Sequence, residues 1–390
     1  MEYTNISFFD QINSTTKINA SIAATTSLPA RDILVSDYTL SLFTFVVDIW
    51  TNLLLCSLGI ITNIINIVVF AKLGFKDSVN ISLTTIAFWD LIRVLCGAVH
   101  RLYGPVSLAS PALGKTWQSL TITNLQYVNI ISGNVSYVIG AYVAIERCLC
   151  VSFPFKVKTL ITPKTTFTFC ILLSVLIYGS FFLLFFMFES KWIYSKEMQA
   201  TIAIYQYTEF SQIHGQRFFE ANRFMGTIYP LLSLTTMVVS TSIIAFHLKK
   251  SSHFRKDVAS KTRRHETSKQ DEMTTKDWKA IKMLLVVIGV YIINLAPRVT
   301  YYMAMLCVPE FYVMKFYNNI FWVATYTYFV FDYINSSVHL FVFYSMSSKF
   351  KSTFLSTFQP KCVTKRNTTS QSPIVKEASR HRVPDSNSSF

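Results

Sequence analysis

Charged residues are scarce in this sequence. Only 15% of its 390 residues are Asp, Glu, Lys or Arg, whereas 51% are hydrophobic and 33 are Phe. A soluble protein of this length needs more charge than this to cover its surface. The shortage therefore excludes an ordinary soluble protein and indicates that many of the phenylalanines face an apolar medium.

Motifs of enzymes and of metal sites are also lacking. The seven cysteines show neither a metal-ligand spacing nor the pattern of a disulfide framework. The sequence contains no nucleophile elbow, no glycine-rich phosphate loop and no His-x-x-x-His pair. We therefore predict that the protein is not an enzyme.

Long apolar runs dominate what the sequence does contain. Each run is close to the ~20 residues needed to cross a hydrocarbon core. The seven runs cover residues 45–71, 79–102, 117–151, 166–188, 224–248, 280–306 and 316–344. Backbone polar groups find no water in lipid, and the runs are too long for barrel strands, so each run must be a helix. The pattern predicts an all-α membrane protein, a seven-transmembrane helix bundle over residues 45–344.

The distribution of charge along the chain predicts the orientation of the bundle. The formal net charge is +15, and most of the 36 Lys and Arg residues lie in connecting segments on one side, including 249–279 and the tail. By the positive-inside rule that side is cytoplasmic, which leaves the N-terminus extracellular and the C-terminus cytoplasmic. No basic folded domain with interleaved aromatic residues remains, so nucleic acid is excluded as a partner.

Residues 1–44 are polar and carry glycosylation sequons at Asn5, Asn13 and Asn19. Sequons also arise by chance in sequence rich in Asn, Ser and Thr. The segment has no apolar core of the length that a cleavable signal peptide needs, so the first span is expected to serve as the signal. We predict a disordered, glycosylated extracellular segment.

Polar residues inside the spans are the candidates for function, although some ionisable groups in membranes only pack helices together. The ionisable residues that we single out are Asp90, Glu146, Arg147, Arg298 and Asp332. In the third span, small or polar residues recur every three or four positions at Gln126, Asn129, Gly133, Ser136 and Gly140. This stripe faces protein, either as a packing surface or as the wall of a cavity.

The order and spacing of these landmarks resemble the rhodopsin-like family of G-protein-coupled receptors. The matching residues are Asn63, Asp90, Glu146-Arg147-Cys148 with Pro154, the kink prolines Pro230 and Pro297, the stretch 335–343, and Phe350. One such motif is weak evidence, whereas the full set covers nearly the whole chain. The resemblance implies a plasma-membrane receptor that couples an extracellular ligand to a heterotrimeric G protein, with arrestin as a further partner.

The sequence also departs from the family pattern. The family's Asn, Pro and Tyr are replaced by His339, Leu340 and Phe343, its sixth-helix Trp by Leu295, and its third-helix Cys by Ile122. No cysteine lies between positions 170 and 307, so the family's outer-loop disulfide cannot form. This variant pattern is similar to divergent invertebrate chemosensory receptors and FMRFamide-type neuropeptide receptors, which implies a small peptide or a chemical cue as the ligand.

The resemblance assigns the cytoplasmic coupling site to Glu146, Arg147, Cys148 and Asp277. An ion pair between Arg147 and Asp277 would latch the sixth helix in the resting receptor. The alternative is that Asp277 is one of several solvated surface charges.

A second implied site is a cavity for a sodium ion. Its residues are Asp90, Ser136, Asn335 and Ser336, which offer the oxygen ligands that suit a hard cation. The alternative is a buried Asp90 that is only hydrogen-bonded.

For the ligand pocket we name Gln126, Asn129, Arg298 and Asp332. Asn129 stands where amine receptors keep an Asp, so an aminergic receptor is not expected. Arg298 can pair with an acidic group of a ligand, or with Asp332 across the bundle.

The C-terminal segments complete the expected organisation. Residues 345–358 combine apolar positions with basic flanks, which fits an amphipathic eighth helix on the inner leaflet. Cys362 is a candidate for palmitoylation, and residues 359–390 read as a disordered, phosphorylatable tail. A membrane transporter or channel is the rival class, but the seven spans do not divide into two similar halves.

Overall fold

The computed structural model describes residues 34–153, 161–261, 268–313 and 315–359, with the side chains of all of these except 248–284. The predicted sites that lie outside this description are Asn5, Asn13, Asn19, Pro154, Cys362 and the side chain of Asp277.

Helices make up most of the described chain. In chain order they are α1 Asp37–Phe43, α2 Asn52–Leu73, α3 Ser78–Arg101, α4 Tyr103–Ala109, α5 Pro111–Ile122, α6 Leu125–Ser152, α7 Pro163–Phe181, α8 Glu209–Lys261, α9 Ser268–Cys307, α10 Asn318–Met346 and α11 Ser348–Phe358. A π-helical segment, Thr44–Thr51, joins α1 to α2, and a 3-10 turn, Phe182–Phe186, follows α7. Two antiparallel strands, β1 Phe188–Ser195 and β2 Ala200–Tyr207, form a hairpin between α7 and α8.

Local sequence explains several of the helix ends. Ser110 and Thr162 accept hydrogen bonds from backbone N–H groups at the starts of α5 and α7, and each is followed by a proline. A Ser or Thr cap followed by proline is a strong helix start. The cap side chain accepts a hydrogen bond from an N–H that has no partner within the helix, and proline has no N–H at a position where it would be unbonded. Gly74 ends α2 with a φ of 84°, which glycine adopts without strain.

Six helical stretches in the described part are long and apolar enough to cross a membrane. They are Asp37–Leu73, Ser78–Ala109, Leu125–Ser152, Pro163–Phe186, Glu209–His247 and Leu285–Cys307. Each overlaps one of the first six predicted spans. The predicted seventh span falls on α10, which is long enough but is less apolar, because it carries several Tyr, Asn and Ser residues. The described chain is therefore mostly helical, and six of the seven candidate spans fall on helices that are long and apolar enough to cross a membrane.

The third predicted span, residues 117–151, has the wrong start. The structure divides it into α5 and α6, and the long helix begins only at Leu125. The predicted run begins at Trp117 because Trp117, Leu120 and Ile122 of α5 lead into the apolar residues of α6 with no proline or glycine between them. The residues that α5 buries are small or polar, namely Gly114, Thr116 and Ser119, and the Trp117 side chain donates a hydrogen bond to the Val99 carbonyl oxygen of α3 at 2.7 Å.

The central helix of the bundle is α6. Its most apolar stretch is 72% buried, against 28% for the corresponding stretches of α7 and α8. Buried Ile131, Val135, Ile139 and Val143 recur every four residues and form one face in the larger apolar cluster. The exposed side chains of α7 and α8 are largely apolar and include Leu172, Val175, Leu176, Leu232 and Val239. Apolar surfaces on the outer helices are what a lipid environment requires.

α11 follows α10 after a cap at Ser347, whose side chain accepts a hydrogen bond from the Phe350 N–H at 3.2 Å. The Phe350 ring is buried between Phe70 of α2 and Phe343 of α10, with ring centroids 5.3 and 5.6 Å away. α11 lies inside the predicted segment 345–358. The aromatic stack fixes its first turn against the bundle.

The hairpin occupies the segment that the sequence analysis expected to be a loop without the family disulfide. Phe188 pairs with Tyr207 at its base. On β2, Ile202 and Ala203 are fully buried, and the Ala203 N–H donates to the Thr116 hydroxyl of α5 at 3.3 Å. The six described cysteines are free. Packing of β2 on α5 thus holds this connection in place of a covalent link.

A reducing agent is therefore expected to leave the thermal unfolding midpoint of the purified protein unchanged. Ile202→Asp should lower it, because the change removes about 1.5–3 kcal/mol of buried apolar contact and places a charge there. Limited proteolysis should then cut the hairpin. A fall of the wild-type midpoint on reduction would contradict this account of the loop.

Candidate functional site

Four helices meet at the carboxylate of Asp332, which is fully buried on α10. Arg298 of α9 donates to its Oδ2 at 2.7 Å, and the Tyr137 hydroxyl of α6 donates to its Oδ1 at 2.6 Å. Arg93 of α3 forms a second ion pair with Oδ2. Charge-assisted bonds of this kind are about twice as strong as neutral ones, so Asp332 is a strong link between α3, α6, α9 and α10.

A second carboxylate, Asp90 of α3, lies beside this link. Its Oδ1 accepts a hydrogen bond from the Ser336 hydroxyl at 3.0 Å and lies 3.7 Å from Nη1 of Arg93. We call Asp90, Arg93, Arg298 and Asp332 the ion cluster. All four are buried, and two arginines balance two aspartates, which is the condition for holding ionised groups away from water.

Aromatic rings surround the Arg298 end of the ion cluster. The guanidinium carbon lies 5.7 Å from the ring centroids of Tyr137, Tyr302 and Tyr328. A guanidinium over the face of an aromatic ring is attracted by the ring quadrupole, and the attraction is larger where water is excluded. The charged form of Arg298 is therefore stabilised both by Asp332 and by the three rings.

Glycine at position 133 of α6 leaves room for both guanidiniums. A Cβ built there would lie 3.0 Å from Nη1 of Arg298 and 3.1 Å from Cζ of Arg93. The polar stripe of the third span thus faces the ion cluster at this position. Of the two expectations for the stripe, packing surface or cavity wall, the geometry at Gly133 fits close packing against charged side chains.

A second set of buried polar residues, which we call the tyrosine network, comprises Asp48, Arg101, Asn129 and Tyr333. Nη2 of Arg101 pairs with the Asp48 carboxylate at 2.7 Å, and Nη1 donates to the Tyr333 hydroxyl at 2.8 Å. Nδ2 of Asn129 donates to the same hydroxyl at 2.6 Å. The network joins the π-helical segment to α3, α6 and α10.

The π-helical segment explains how Asp48 reaches Arg101. At its end the Asn52 N–H donates to the Val47 and Ile49 oxygens, and the Asp48 carbonyl oxygen accepts from Nε of Arg101 at 2.7 Å. Arg101 is thus held by both the backbone and the carboxylate of one residue. π-Helical turns are frequent at functional sites because the wider turn exposes groups that an α-helix would occupy.

The four predicted pocket residues separate into these two sets. Gln126 and Asn129 are hydrogen-bonded to each other at 2.9 Å and belong with the tyrosine network, whereas Arg298 and Asp332 belong to the ion cluster. The pairing of Arg298 with Asp332, one of the two expectations for Arg298, is present. The two sets meet on α10, where Asp332 and Tyr333 are consecutive residues.

Close approach inside the tyrosine network depends on Gly97. A Cβ there would lie 2.7 Å from the Tyr333 hydroxyl and 3.0 Å from the Cys56 sulfur. Gly97→Ala is therefore expected to destabilise the protein by about 1–3 kcal/mol through overpacking, which a lower unfolding midpoint would report.

Gly289→Ala in α9 is the matched control, because no atom lies within 4 Å of the added carbon. It should be neutral or stabilising by up to about 1 kcal/mol, since alanine favours a helix over glycine. Equal effects at the two positions would refute the close approach at Gly97.

The predicted ion-pocket residues are only partly brought together. Asp90 interacts with the side chains of both Ser336, at 3.0 Å, and Ser136, and the Ser136 hydroxyl also lies 3.4 Å from the Tyr291 hydroxyl. The Asn335 side chain is buried with no hydrogen-bond partner among the described residues. The guanidinium of Arg93, which the sequence analysis did not include, stands between these groups, with Nη1 3.4 Å from the Ser336 hydroxyl.

At the far end of α6, Glu146 accepts a hydrogen bond from Arg147 at 2.7 Å. The same Glu146 oxygen is bonded to the Ser78 hydroxyl at the start of α3. Cys148 is half-buried beside them. Arg147 is thus held by its own neighbour in the chain, while the proposed partner Asp277 lies outside the described side chains.

The two kink prolines lie inside long helices, Pro230 in α8 and Pro297 in α9. Proline inside a helix removes one backbone hydrogen bond and clashes with the carbonyl four residues earlier. Pro297 immediately precedes Arg298. The ion-paired guanidinium therefore lies next to the position in α9 where proline removes a backbone hydrogen bond.

The sequence analysis missed Asp48, Arg93 and Arg101. The sequence does contain a signal for the two arginines. Arg93 follows Asp90 by three residues, and Gly97 and Arg101 follow Arg93 at intervals of four, so all four residues share one face of α3. Arg93 also lies in the middle of a predicted span, where an ionisable residue is costly unless it is paired. Asp48 lies close to the start of its span and has no comparable pattern.

A protein-family model matches most of the chain. The family model described as "Serpentine type 7TM GPCR chemoreceptor Srw" matches residues 50–361. The match runs from the end of the π-helical segment past α11, and so includes the ion cluster and all of the tyrosine network except Asp48. No curated protein matches the chain.

Proposed function

Because the chain belongs to the Srw family of serpentine seven-transmembrane chemoreceptors, we propose that it detects an extracellular ligand and activates a heterotrimeric G protein. The family is one of receptors rather than of enzymes, and it does not favour the transporter or channel alternative. The observation that carries the proposal is the match over residues 50–361, together with an arginine at the end of α6 that is held by an adjacent acid.

α10 is the seventh crossing in this proposal. Its 29 residues reach about 44 Å at 1.5 Å per residue, which exceeds a ~30 Å hydrocarbon core. Its polar side chains at Asp332, Tyr333 and Ser336 are fully buried against other helices. Polar groups that face protein do not oppose membrane insertion as lipid-facing groups would. The N-terminus, glycosylated at Asn5, Asn13 and Asn19, is then extracellular, and the tail is cytoplasmic.

In the resting receptor, two contacts hold α9 and the coupling end of α6. Arg298 binds α9 to α10 through Asp332, and Glu146 holds Arg147. A ligand that binds better to a state with α9 displaced would shift the receptor toward that state. Displacement of α9 at Pro297 would open the cytoplasmic face to a G-protein helix, and Asp277 on α9 would contribute to closing that face at rest.

The ligand is a small peptide or a chemical cue that reaches the outer ends of the helices. Gln126 and Asn129 are the polar groups there, and aromatic side chains of the hairpin base pack nearby, with the Tyr127 and Phe188 rings 6.3 Å apart. Arrestin would bind the phosphorylated tail 359–390. α11 would lie on the inner leaflet, anchored further by a palmitoyl group on Cys362.

A cell assay tests this function. Calcium and cyclic AMP would be read while a panel of amidated peptides and waterborne odorants is applied. A response that is lost in Arg147→Gln at normal surface expression, but kept in the exposed control Arg217→Gln, is the expected result. Solute flux that is indifferent to Arg147→Gln would instead indicate a transporter.

A further inference from the structure

The two carboxylates of the ion cluster have no exposure to solvent. An isolated carboxylate in a low-dielectric interior is held only if a cation compensates it, because the desolvation cost of a buried ion is several kcal/mol. Asp90 and Asp332 face each other across α3 and α10. The pair therefore needs two positive charges close by, from the protein or from a bound ion.

Arg93 lies where such a cation would bind. Its Nη1 is 3.7 Å from Asp90 Oδ1, its Nη2 pairs with Asp332, and its Nη1 donates to the Ser336 hydroxyl at 3.4 Å. The guanidinium carbon also lies 5.3 Å from the Tyr137 ring centroid. One side chain thus contacts both carboxylates and one hydroxyl oxygen, the same kinds of atom that would ligate a small hard cation.

We propose that Arg93 is the resident cation of this pocket and that no free metal ion binds there in the native receptor. An arginine is always protonated and is tethered to the site, so it is never lost by dilution. With Arg298 also present, the ion cluster is neutral. A sodium ion would add an uncompensated charge within a few ångströms of Arg93, where repulsion is poorly screened.

Removal of Arg93 should uncover a cation site. Oδ2 of Asp90 and the Asn335 side chain have no hydrogen-bond partner among the described residues. Without the guanidinium, Asp90 is left with an uncompensated charge, an unpartnered Oδ2 and the Ser336 hydroxyl at 3.0 Å from its Oδ1. Sodium should then bind and stabilise the variant by mass action, because it binds only the folded form.

The test is thermal unfolding of the purified full-length receptor, read with a dye that fluoresces when it reacts with thiols. Cys56 and Cys170 are free and buried, so they react only on unfolding. Wild type should give the same Tm in sodium chloride and in N-methylglucamine chloride of equal ionic strength. Arg93→Met should have a lower Tm that sodium chloride raises by roughly 2–4 °C.

Two further variants make the result specific. Asp90→Asn combined with Arg93→Met should lose the response to sodium, because the carboxylate is gone. Arg93→Lys should remain indifferent to sodium, because it keeps a cation in place. A wild-type or Arg93→Lys Tm that rises with sodium would overturn the assignment, even if Arg93→Met does not fold. An Arg93→Met Tm with no sodium response would overturn it as well. None of these readouts depends on ligand or G protein.

Discussion

Asp332→Ala is expected to destabilise the folded receptor by about 3–5 kcal/mol, the cost of removing one partner from a buried ion pair. Asp332 accepts from Arg298 and Tyr137 and pairs with Arg93, so three groups on three other helices lose their acceptor. The ion cluster would then hold two arginines against Asp90 alone. A net positive charge would remain in a site without solvent.

A double variant separates this effect from lost packing. Arg298→Met with Asp332→Leu leaves Arg93 and Asp90, one charge of each sign, and fills the space with apolar atoms. It should be substantially more stable than Asp332→Ala, because replacing both members of a buried pair is often neutral. Purified yield and Tm would be compared for the two variants. If the double variant is as unstable as the single one, charge balance is not what holds the cluster.

The ion pair between Arg298 and Asp332 can also be tested by its effect on signalling. Arg298→Met removes the ion pair between α9 and α10 but leaves Asp332 paired with Arg93. If the ion pair holds α9 at rest, ligand-independent G-protein activation should rise several-fold at equal surface expression. Arg223→Met is a suitable control, because the Arg223 guanidinium only lies over the Tyr312 ring, 5.6 Å from its centroid. Unchanged basal activity in Arg298→Met would argue against this resting contact.

The sequence predicted the fold class because lipid leaves few alternatives. Apolar length alone located six helices that are long and apolar enough to cross a membrane, and the rarity of ionisable residues inside spans located Asp90, Arg298 and Asp332 before any contact was known. The pairing of Arg298 with Asp332 followed from charge, since two opposite charges buried in neighbouring helices need each other. These are properties of single residues or of regular spacing.

Other features depended on tertiary contacts that spacing does not encode. The break between α5 and α6 was not predicted, because Trp117, Leu120 and Ile122 of α5 lead into the apolar residues of α6 with no proline or glycine between them. The absence of the family disulfide could be predicted from the positions of the cysteines. No sequence pattern predicted that a β-hairpin would hold the outer loop instead. Arg93 matches none of the family landmarks, and its role comes from lying between two carboxylates.

Arg101→Met is the second change with a large expected effect, again about 3–5 kcal/mol, because it leaves Asp48 buried with only the Tyr103 hydroxyl, 3.3 Å away. Arg101 makes the bonds that fix the π-helical segment to α3 and α10. The loss should therefore appear first as faster hydrogen exchange of backbone amides in residues 44–51, with the centre of α6 still protected.

Tyr333→Phe is the informative comparison for Arg101→Met. It removes the hydroxyl that Arg101 and Asn129 share but leaves the pair of Arg101 with Asp48 intact. It should cost only about 1–3 kcal/mol, the price of unsatisfied donors, and should leave exchange in residues 44–51 unchanged. Equal exchange in both variants would mean that the Arg101 to Asp48 pair does not hold the segment. Faster exchange in Arg101→Met alone would mean that the bonds from Arg101 to the carboxylate and the carbonyl oxygen of Asp48 hold residues 44–51.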